Sequence, residues 1–277
     1  MASGWSFVKR FLRTVALGAS VFCLLAPAAA GQTTEHFEYG AYAHVLEKYV
    51  TSQGQVRYAA LKTDRTDLEA FIAQLAAISP DNRPGLFPET AAQRAYWINA
   101  YNAFVLRSVV KSYPVKGPLD IRYGFGLLFF KRARHVAGGK RLSLDHIEHQ
   151  ILRKRFPDPR IHFAINCAST SCPPLVPKPF LPETLEAQLE EVARAFIQDE
   201  RNVRLRGDVL LLSKIFDWYQ DDFVSFLRQS GRTQTTVVDY VLLYLPAEIA
   251  ERIRAEHPRV KFLNYDWSLN DAPTPPN

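Results

Sequence analysis

The pattern of apolar and polar residues predicts a chain built mainly of amphipathic helices. Apolar side chains recur every three or four residues, the spacing that gathers them on one face of a helix. The predicted helices cover residues 36–50, 67–78, 90–112, 143–155, 185–197, 214–228, 236–244 and 247–256. Ser143 is the first residue of the fourth range and has the side chain of an N-cap.

Shorter segments have the two-residue period of strands or the composition of a hairpin. The predicted strands cover residues 160–166, 203–205, 209–212 and 260–265. In the first of them, alternation places His162, Ala164 and Asn166 on one face. Together the elements predict an α+β fold: a mostly helical single domain with a small mixed or antiparallel sheet.

The N-terminus has the pattern of a secretory signal peptide. Basic residues at positions 9, 10 and 13 precede an apolar run over 15–25, and three alanines at 28–30 provide a cleavage site. We therefore predict a signal peptide over 1–30, one globular domain over 31–271 and a flexible, proline-rich tail over 272–277. The expected location is periplasmic or secreted, without a transmembrane span after cleavage.

Removing this leader changes both the charge and the cysteine count. The formal charge of +6 falls to about +3, because the leader holds three basic residues and no acids. So mild a charge argues against a nucleic-acid partner. Cys167 and Cys172 remain as the only cysteines, and a pair of cysteines in an exported protein favours a disulfide.

The longest predicted helix carries carboxamides among large apolar residues. Within YWINAYNAFVL, Asn99 and Asn102 are three residues apart and share a face, with Tyr101 between them. A buried carboxamide needs hydrogen-bond partners, because an unpaired one costs about 1–3 kcal/mol. The two asparagines either fasten a neighbouring loop or orient a bound substrate.

The segment LSLDHIEHQILR places one acid beside an apolar stripe. Glu148 falls on the side of the predicted helix that carries the isoleucines, where an isolated carboxylate would be unfavourable. Arg155, Arg160 and His162 are candidate partners. Glu148 is thus either half of a buried ion pair or an acid–base group in a cleft.

The same segment holds two histidines. His149 lies one turn after Asp145, so a contact between them is expected, whereas His146 points away. The spacing of the two histidines is not the i,i+4 pair of zinc-protease helices, and no third ligand stands near them. We predict no metal site and no cofactor.

The stretch IHFAINCASTSCPPL contains the cysteine pair. Four intervening residues allow Cys167 and Cys172 to form a disulfide. Alternatively, Cys167 is a thiolate nucleophile with His149 or His162 as its base. A redox role is a third reading, although the pair lacks C-x-x-C spacing. In each case Asn166 and this loop are expected in the functional part of the molecule.

Two aromatic and acidic clusters lie nearer the C-terminus. The first is FDWYQDDF, where Phe216, Tyr219, Phe223 and, just beyond it, Phe226 recur at helical spacing and are expected in the core. NYDWSLN follows the last strand, where Asp266 or the indole of Trp267 could face a shared cleft.

The combination of YWINAYNAFVL, LSLDHIEHQILR and DPRIHFAINCASTSCPPL resembles the DUF547 family, a domain of unknown function with exported bacterial members. The likeness continues through LLLSKIFDWYQDDF and YDWSLN. The resemblance implies a set of recurring motif positions: Asn99, Tyr101, Asn102, Glu148, His149, Arg160, His162, Cys167 and Cys172. It also invites comparison with papain- or transglutaminase-like hydrolases, although their cysteine stands at a helix N-terminus and Cys167 does not.

Two functions are compatible with these residues. The first is a hydrolase or acyl transferase for an amide or ester bond. In that case Glu148, His149, His162 and Cys167 are catalytic, and the expected substrate-binding residues are Asn99, Tyr101, Asn102, Arg160 and Asn166. The second is a noncatalytic binding module in which Cys167–Cys172 is a structural clip. The expected ligand is a small molecule, a peptide, a glycan or another envelope polymer.

Overall fold

The longest helix in the described part of the chain is buried on nearly all sides along its middle, and several other elements pack against it. The computed structural model describes residues 36–121, 128–132 and 134–273. The α-helices of this part are α1 Gly40–Tyr49, α2 Tyr58–Thr63, α3 Thr66–Ala77, α4 Thr90–Ser112, α5 Leu128–Lys131, α6 Leu144–His146, α7 Arg153–Arg155, α8 Ile161–Ala164, α9 Leu185–Gln198, α10 Lys214–Trp218, α11 Gln220–Gln229, α12 Val237–Val241 and α13 Ala247–Glu256. Short 3₁₀ turns occur at Pro84–Leu86, Pro118–Asp120 and Pro182–Thr184, and a π-helix, Ile147–Leu152, joins α6 to α7.

Helix α4 explains why the pattern along its sequence is apolar almost throughout. Its middle, from Ala95 to Leu106, is buried on every face, including Asn99, Tyr101 and Asn102. A helix that is apolar all round must be enclosed by its neighbours. The elements in contact with α4 include α2, α3, α9 and the π-helix. The centre of the core therefore lies along α4.

Two small sheets complete the fold. Strands β1 His135–Ala137 and β2 Lys140–Leu142 form an antiparallel hairpin. Its turn uses Gly138 and Gly139 at positive φ, as a tight hairpin requires. Strands β3 Val203–Arg206 and β4 Val209–Leu212 pair antiparallel, and β5 Arg259–Phe262 adds to β4 in parallel.

These elements confirm the predicted fold class, a mostly helical α+β domain with a small mixed sheet. The helix predicted over 214–228 is interrupted at Tyr219, which separates α10 from α11. No described helix is long and apolar enough to cross a membrane. The predicted signal peptide lies outside the described residues, as does most of the predicted tail.

The strand predicted over 160–166 is wrong, because the chain forms the helical turn α8 there. The carboxylate of Asp158 accepts the backbone N–H of Arg160 at 3.0 Å and stabilises the turn that leads into α8. All four residues of α8 are buried, so the alternation of residue types does not separate a solvent face from a core face. His162 and Asn166 consequently do not share the face of a strand.

Candidate functional site

A cleft of about 570 Å³ opens at the end of the π-helix. This volume is within the usual range of small-molecule sites. Side chains from six separate parts of the chain line it: Tyr101, Phe130, Lys131, Asp145, Glu148, His149, Arg153, His162, Ile165, Cys167, Cys172, Pro173, Ile215, Trp218, Tyr219, Tyr265 and Trp267. All four predicted catalytic residues, Glu148, His149, His162 and Cys167, are among them. The cleft is therefore the candidate site.

Glu148 is the most deeply held acid of the cleft. It belongs to the π-helix and is 7% exposed. Its carboxylate accepts hydrogen bonds from the hydroxyls of Tyr219 at 2.5 Å and Tyr101 at 3.2 Å. Burial, followed by the negative charge of Glu148, raises the pKa of both tyrosines above the ordinary value. Both hydroxyls therefore stay protonated and act as donors.

The ion partners predicted for Glu148 are engaged elsewhere. Arg155 pairs with Asp81 at 2.8 Å and Arg160 pairs with Asp158 at 2.7 Å. Of the two alternatives for Glu148, the buried ion pair is not formed within the described residues, because two phenol donors from α4 and the α10–α11 junction satisfy the carboxylate instead. A helical wheel shows the faces of one segment only, so it cannot reveal the contacts of Glu148 with Tyr101 and Tyr219, which are distant in sequence.

His162 forms a buried pair with Asp222, a residue that sequence reasoning did not select. Its Nε2 lies 2.7 Å from the carboxylate of Asp222. Burial lowers the pKa of His162, opposed by this hydrogen bond. Burial would raise the pKa of Asp222, but hydrogen bonds from His162 and Arg153 hold it well below its usual range. The pair is therefore a neutral imidazole donating Nε2–H to an ionised carboxylate.

The other ring nitrogen of His162 has a free lone pair. Nδ1 is buried and has no hydrogen-bond partner among the described residues. The ring stacks on Tyr219 with centroids 3.8 Å apart, which fixes its plane. The imidazole is thus oriented on one side by a carboxylate and retains a basic atom on the other, as in an acid–base dyad.

Arg153 joins this dyad to His149. Its guanidinium donates to both oxygens of Asp222, at 2.6 and 2.9 Å, and to Nδ1 of His149 at 2.8 Å. Because arginine only donates, Nδ1 of His149 must accept, so the neutral ring carries its proton on Nε2. That Nε2 lies 3.7 Å from Asp145, which confirms the predicted contact. His149 thus brings a partly exposed N–H donor to the cleft.

The cysteines of the cleft are paired with each other. The structure joins Cys167 and Cys172, whose Cα atoms are 6.1 Å apart, within the range that a disulfide requires. Sγ of Cys167 also lies 3.0 Å from Oγ of Ser169 and 3.2 Å from the hydroxyl of Tyr265. Neither of these neighbours is a histidine, so this geometry lacks the base of a cysteine nucleophile.

The pairing predicts a specific labelling result. In the protein purified and denatured without reductant, we expect Cys167 and Cys172 to take up no alkylating reagent. After reduction both are expected to react, which intact-mass spectrometry reports as two added groups. Labelling of Cys167 before reduction would instead favour the thiolate alternative.

The predicted substrate-binding residues divide into two groups. Tyr101 lines the cleft. Asn99 exchanges two hydrogen bonds with the backbone of Phe180, at 2.7 and 3.0 Å. Asn102 bonds the carbonyl of Ala164 at 2.9 Å and the N–H of Asn166 at 2.8 Å. These contacts favour the loop-fastening alternative for both asparagines.

Asn166 and Arg160 are likewise engaged away from the ligand space. The carboxamide of Asn166 bonds the carbonyl of Pro173 at 2.7 Å and the N–H of Ala168 at 2.8 Å. Arg160 binds Asp158 and Glu186. Neither residue lines the cleft. In the described parts of the chain, no group of three or more His, Cys, Asp or Glu side chains is placed to hold a metal ion.

Comparison with known proteins gives one family match. Residues 88–197 match the family described as "Protein of unknown function, DUF547". No curated protein and no solved structure matches the chain, so the likeness to papain- or transglutaminase-like hydrolases stays a prediction. The match contains Glu148, His149, His162 and Cys167 but ends before Tyr219 and the later segments that complete the cleft. Over residues 88–197, this chain resembles the DUF547 family, whose function is unknown.

Proposed function

We propose that the protein is an exported hydrolase or acyl transferase that acts on an amide or ester bond in this cleft. The observation that carries the proposal is the Asp222–His162 pair, 2.7 Å apart, with Nδ1 of His162 free of any partner in the described structure. A carboxylate that orients a neutral imidazole, whose other nitrogen stays basic, is the arrangement that general-base catalysis needs.

The reaction assigns separate tasks to the two histidines. A movement of the neighbouring side chains first opens the buried Nδ1 of His162 to the cleft. There it takes a proton from a water or acceptor hydroxyl, whose oxygen forms a bond to the acyl carbon. Nε2–H of His149 donates toward the carbonyl oxygen as negative charge develops there. The bond between the acyl carbon and its oxygen or nitrogen then breaks, and the leaving alcohol or amine takes the proton held by His162.

Glu148 and Arg153 hold this arrangement in place. Arg153 bridges Asp222 and His149, so the base and the donor are positioned by one guanidinium. Glu148 anchors Tyr219, whose ring supports His162. In this form Cys167 is a structural residue and the nucleophile comes from solution.

A panel of chromogenic acetyl esters and anilides tests the proposal. We expect His162→Gln to lower kcat/KM by about 100-fold, the contribution of a general base, with the fold retained. The matched control is His146→Gln, which alters an exposed histidine of the same helical region and should leave the rate unchanged. Equal rates for wild type and His162→Gln would contradict catalysis by the dyad.

The second candidate is a noncatalytic binding module, and one observation favours it. Cys167 is paired with Cys172 and no histidine contacts its sulfur within the described structure. A clipped loop that is rigid but chemically inert is what a binding cleft needs. Ligand binding without turnover by the wild-type protein would support this alternative over hydrolysis.

A further inference from the structure

Three aromatic rings form one side of the cleft. Trp218 ends α10, and Tyr265 and Trp267 follow β5. Their ring centroids are 4.6–5.8 Å apart, with Tyr265 in contact with both indoles. Trp218 is 44% exposed, an unusual exposure for so large a ring. We refer to these three residues as the aromatic platform.

The platform is held rigidly by the cysteine loop. The N–H groups of Thr170 and Ser171 donate to the carbonyls of Ser268 and Asp266, at 2.8 and 3.2 Å. The hydroxyl of Tyr265 contacts Sγ of Cys167. A loop clipped by a disulfide thus lies against the segment that carries two of the rings. Such backing by a neighbouring loop holds the rings in place before a ligand binds, as a pre-organised binding surface requires.

The other side of the platform segment is also fixed. The N–H of Leu269 donates to the carbonyl of Lys116 at 2.7 Å. A side chain at residue 117 would collide with the carbonyl oxygen of Trp267, so Gly117 permits this close approach. The backbone at Trp267 therefore cannot move away without breaking hydrogen bonds on both flanks.

The arrangement of the rings limits the kind of ligand. The three rings are tilted by 31–54° and touch one another, so they leave no slot between parallel faces for a planar base. They also do not surround an empty space, as a cage for a quaternary ammonium group does. What they offer is one large exposed ring, that of Trp218, beside a polar cleft.

The polar residues of the cleft supply both donors and acceptors. Lys131 donates, Asp145 accepts, and His149 presents its N–H to the same cleft. Arg153 is positive but already paired with Asp222, so the cleft holds charges of both signs beside the carboxylates of Asp145 and Glu148. A ligand with one apolar face and an edge of neutral groups that both donate and accept would match this surface. A pyranose ring has this combination.

We propose that the aromatic platform binds a sugar ring, so that the natural ligand is a glycan. This inference deepens the proposed function, and its consequence for catalysis rests on that function. The bond cleaved or formed would then join an acyl group to that sugar. The exposed ring of Trp218 is the stacking surface, and the disulfide loop keeps the platform in a fixed position beside the cleft.

The test is calorimetric titration of the full mature protein with an N-acetylated chito-oligosaccharide of four sugars. We expect saturable binding that Trp218→Ala weakens by about tenfold or more, as for a stacked tryptophan at the centre of an interface. The control is Ile249→Ala, because Ile249 is 40% exposed and lies outside the cleft. It should bind as wild type does. N-acetyltyrosine amide, an aromatic peptide analogue, should not compete.

Failure of this inference differs from failure of the proposed function. Binding that is lost in Trp218→Ala but kept in His162→Gln would support the platform, whether or not the sugar is turned over. Absence of oligosaccharide binding, or equal affinity in wild type and Trp218→Ala, would overturn it. Ester hydrolysis dependent on His162 could still stand in that case. Preferential binding of the tyrosine amide would assign the platform to a peptide and would likewise overturn the glycan proposal.

Discussion

Replacing Asp158 by Asn is expected to destabilise the protein by about 3 kcal/mol, because it removes the anion at the centre of a buried ion network. Asp158 accepts hydrogen bonds from Arg94 of α4 at 2.8 Å and from Arg160, which precedes α8, at 2.7 Å. Both arginines also bind Glu186 of α9, so the network ties three helices together.

The loss of stability is large because removing one member of a buried ion network leaves the remaining charges without their buried partner. The side chains of Arg94 and Asp158 are 11% and 10% exposed, so water cannot replace a lost partner. Asparagine preserves the shape of the side chain, but the two guanidinium groups are left with the largely exposed Glu186 and, for Arg160, Glu190 at 3.9 Å. Removing one member of a buried pair is strongly destabilising for this reason, even where the intact pair adds little.

Thermal and urea unfolding measure the change. For a domain of this size we expect Asp158→Asn to lower the melting temperature by about 10 °C. The matched control is Asp208→Asn, which removes the exposed pair with Arg259, whose side chains are 74% and 69% exposed. That variant should lose less than about 1 kcal/mol. Similar losses in both variants would contradict the structural role given to the buried network.

Lowering the pH from 6.5 to 4 is expected to reduce the free energy of unfolding by about 3 kcal/mol through His135 alone. His135 is 4% exposed and stacks on Phe104. Burial, followed by the nearby charges of Arg107 and Arg134, lowers its pKa to about 4. The folded state therefore holds a neutral imidazole that the unfolded chain protonates readily.

The sign follows from the depressed pKa of a base. Between pH 6.5 and pH 4 the unfolded state binds more protons than the folded state, so stability falls as pH falls. The contribution of the neutral His135 to the free energy of unfolding is fully present above pH 6.5 and is lost by about pH 4. His162, whose pKa is also lowered, acts in the same direction. Asp158 and Asp222, with lowered pKa values, lose their contributions only below the ordinary range of aspartate.

The free energy of unfolding as a function of pH isolates this contribution. His135→Leu keeps a side chain of similar size in the core and cannot titrate. We expect its stability curve to be flatter than that of wild type by about 3 kcal/mol across pH 4 to 6.5. The His146→Gln variant, which alters an exposed histidine, serves as the control and should follow wild type. Parallel curves for wild type and His135→Leu would rule out the buried neutral histidine as the cause.

The sequence by itself determined the elements that have a strong local period. The predicted limits of the helices over 90–112 and 247–256 agree with α4 and α13, and Ser143 caps α6 through the N–H of His146. Such agreement is expected where apolar spacing and end signals are both local properties of the chain. The predicted hairpin of β3 and β4 was confirmed for the same reason.

The sequence also identified the part of the chain that carries the site. Glu148, His149, His162 and Cys167 were selected from unusual polar residues in apolar surroundings, and all four line one cleft. The signal was the conflict between residue type and environment, which needs no knowledge of the fold. The catalytic roles of these residues stay predictions.

Only the tertiary structure decided how these residues are paired. Asp222 lies 60 positions from His162 and Tyr219 lies 71 positions from Glu148, so no local pattern links them. The strand predicted at residues 160–166 failed because both sides of α8 are buried, and the asparagines were found to fasten backbone rather than line the cleft. Local periodicity determines which segments fold regularly, but the partner of a buried polar group depends on packing between distant segments.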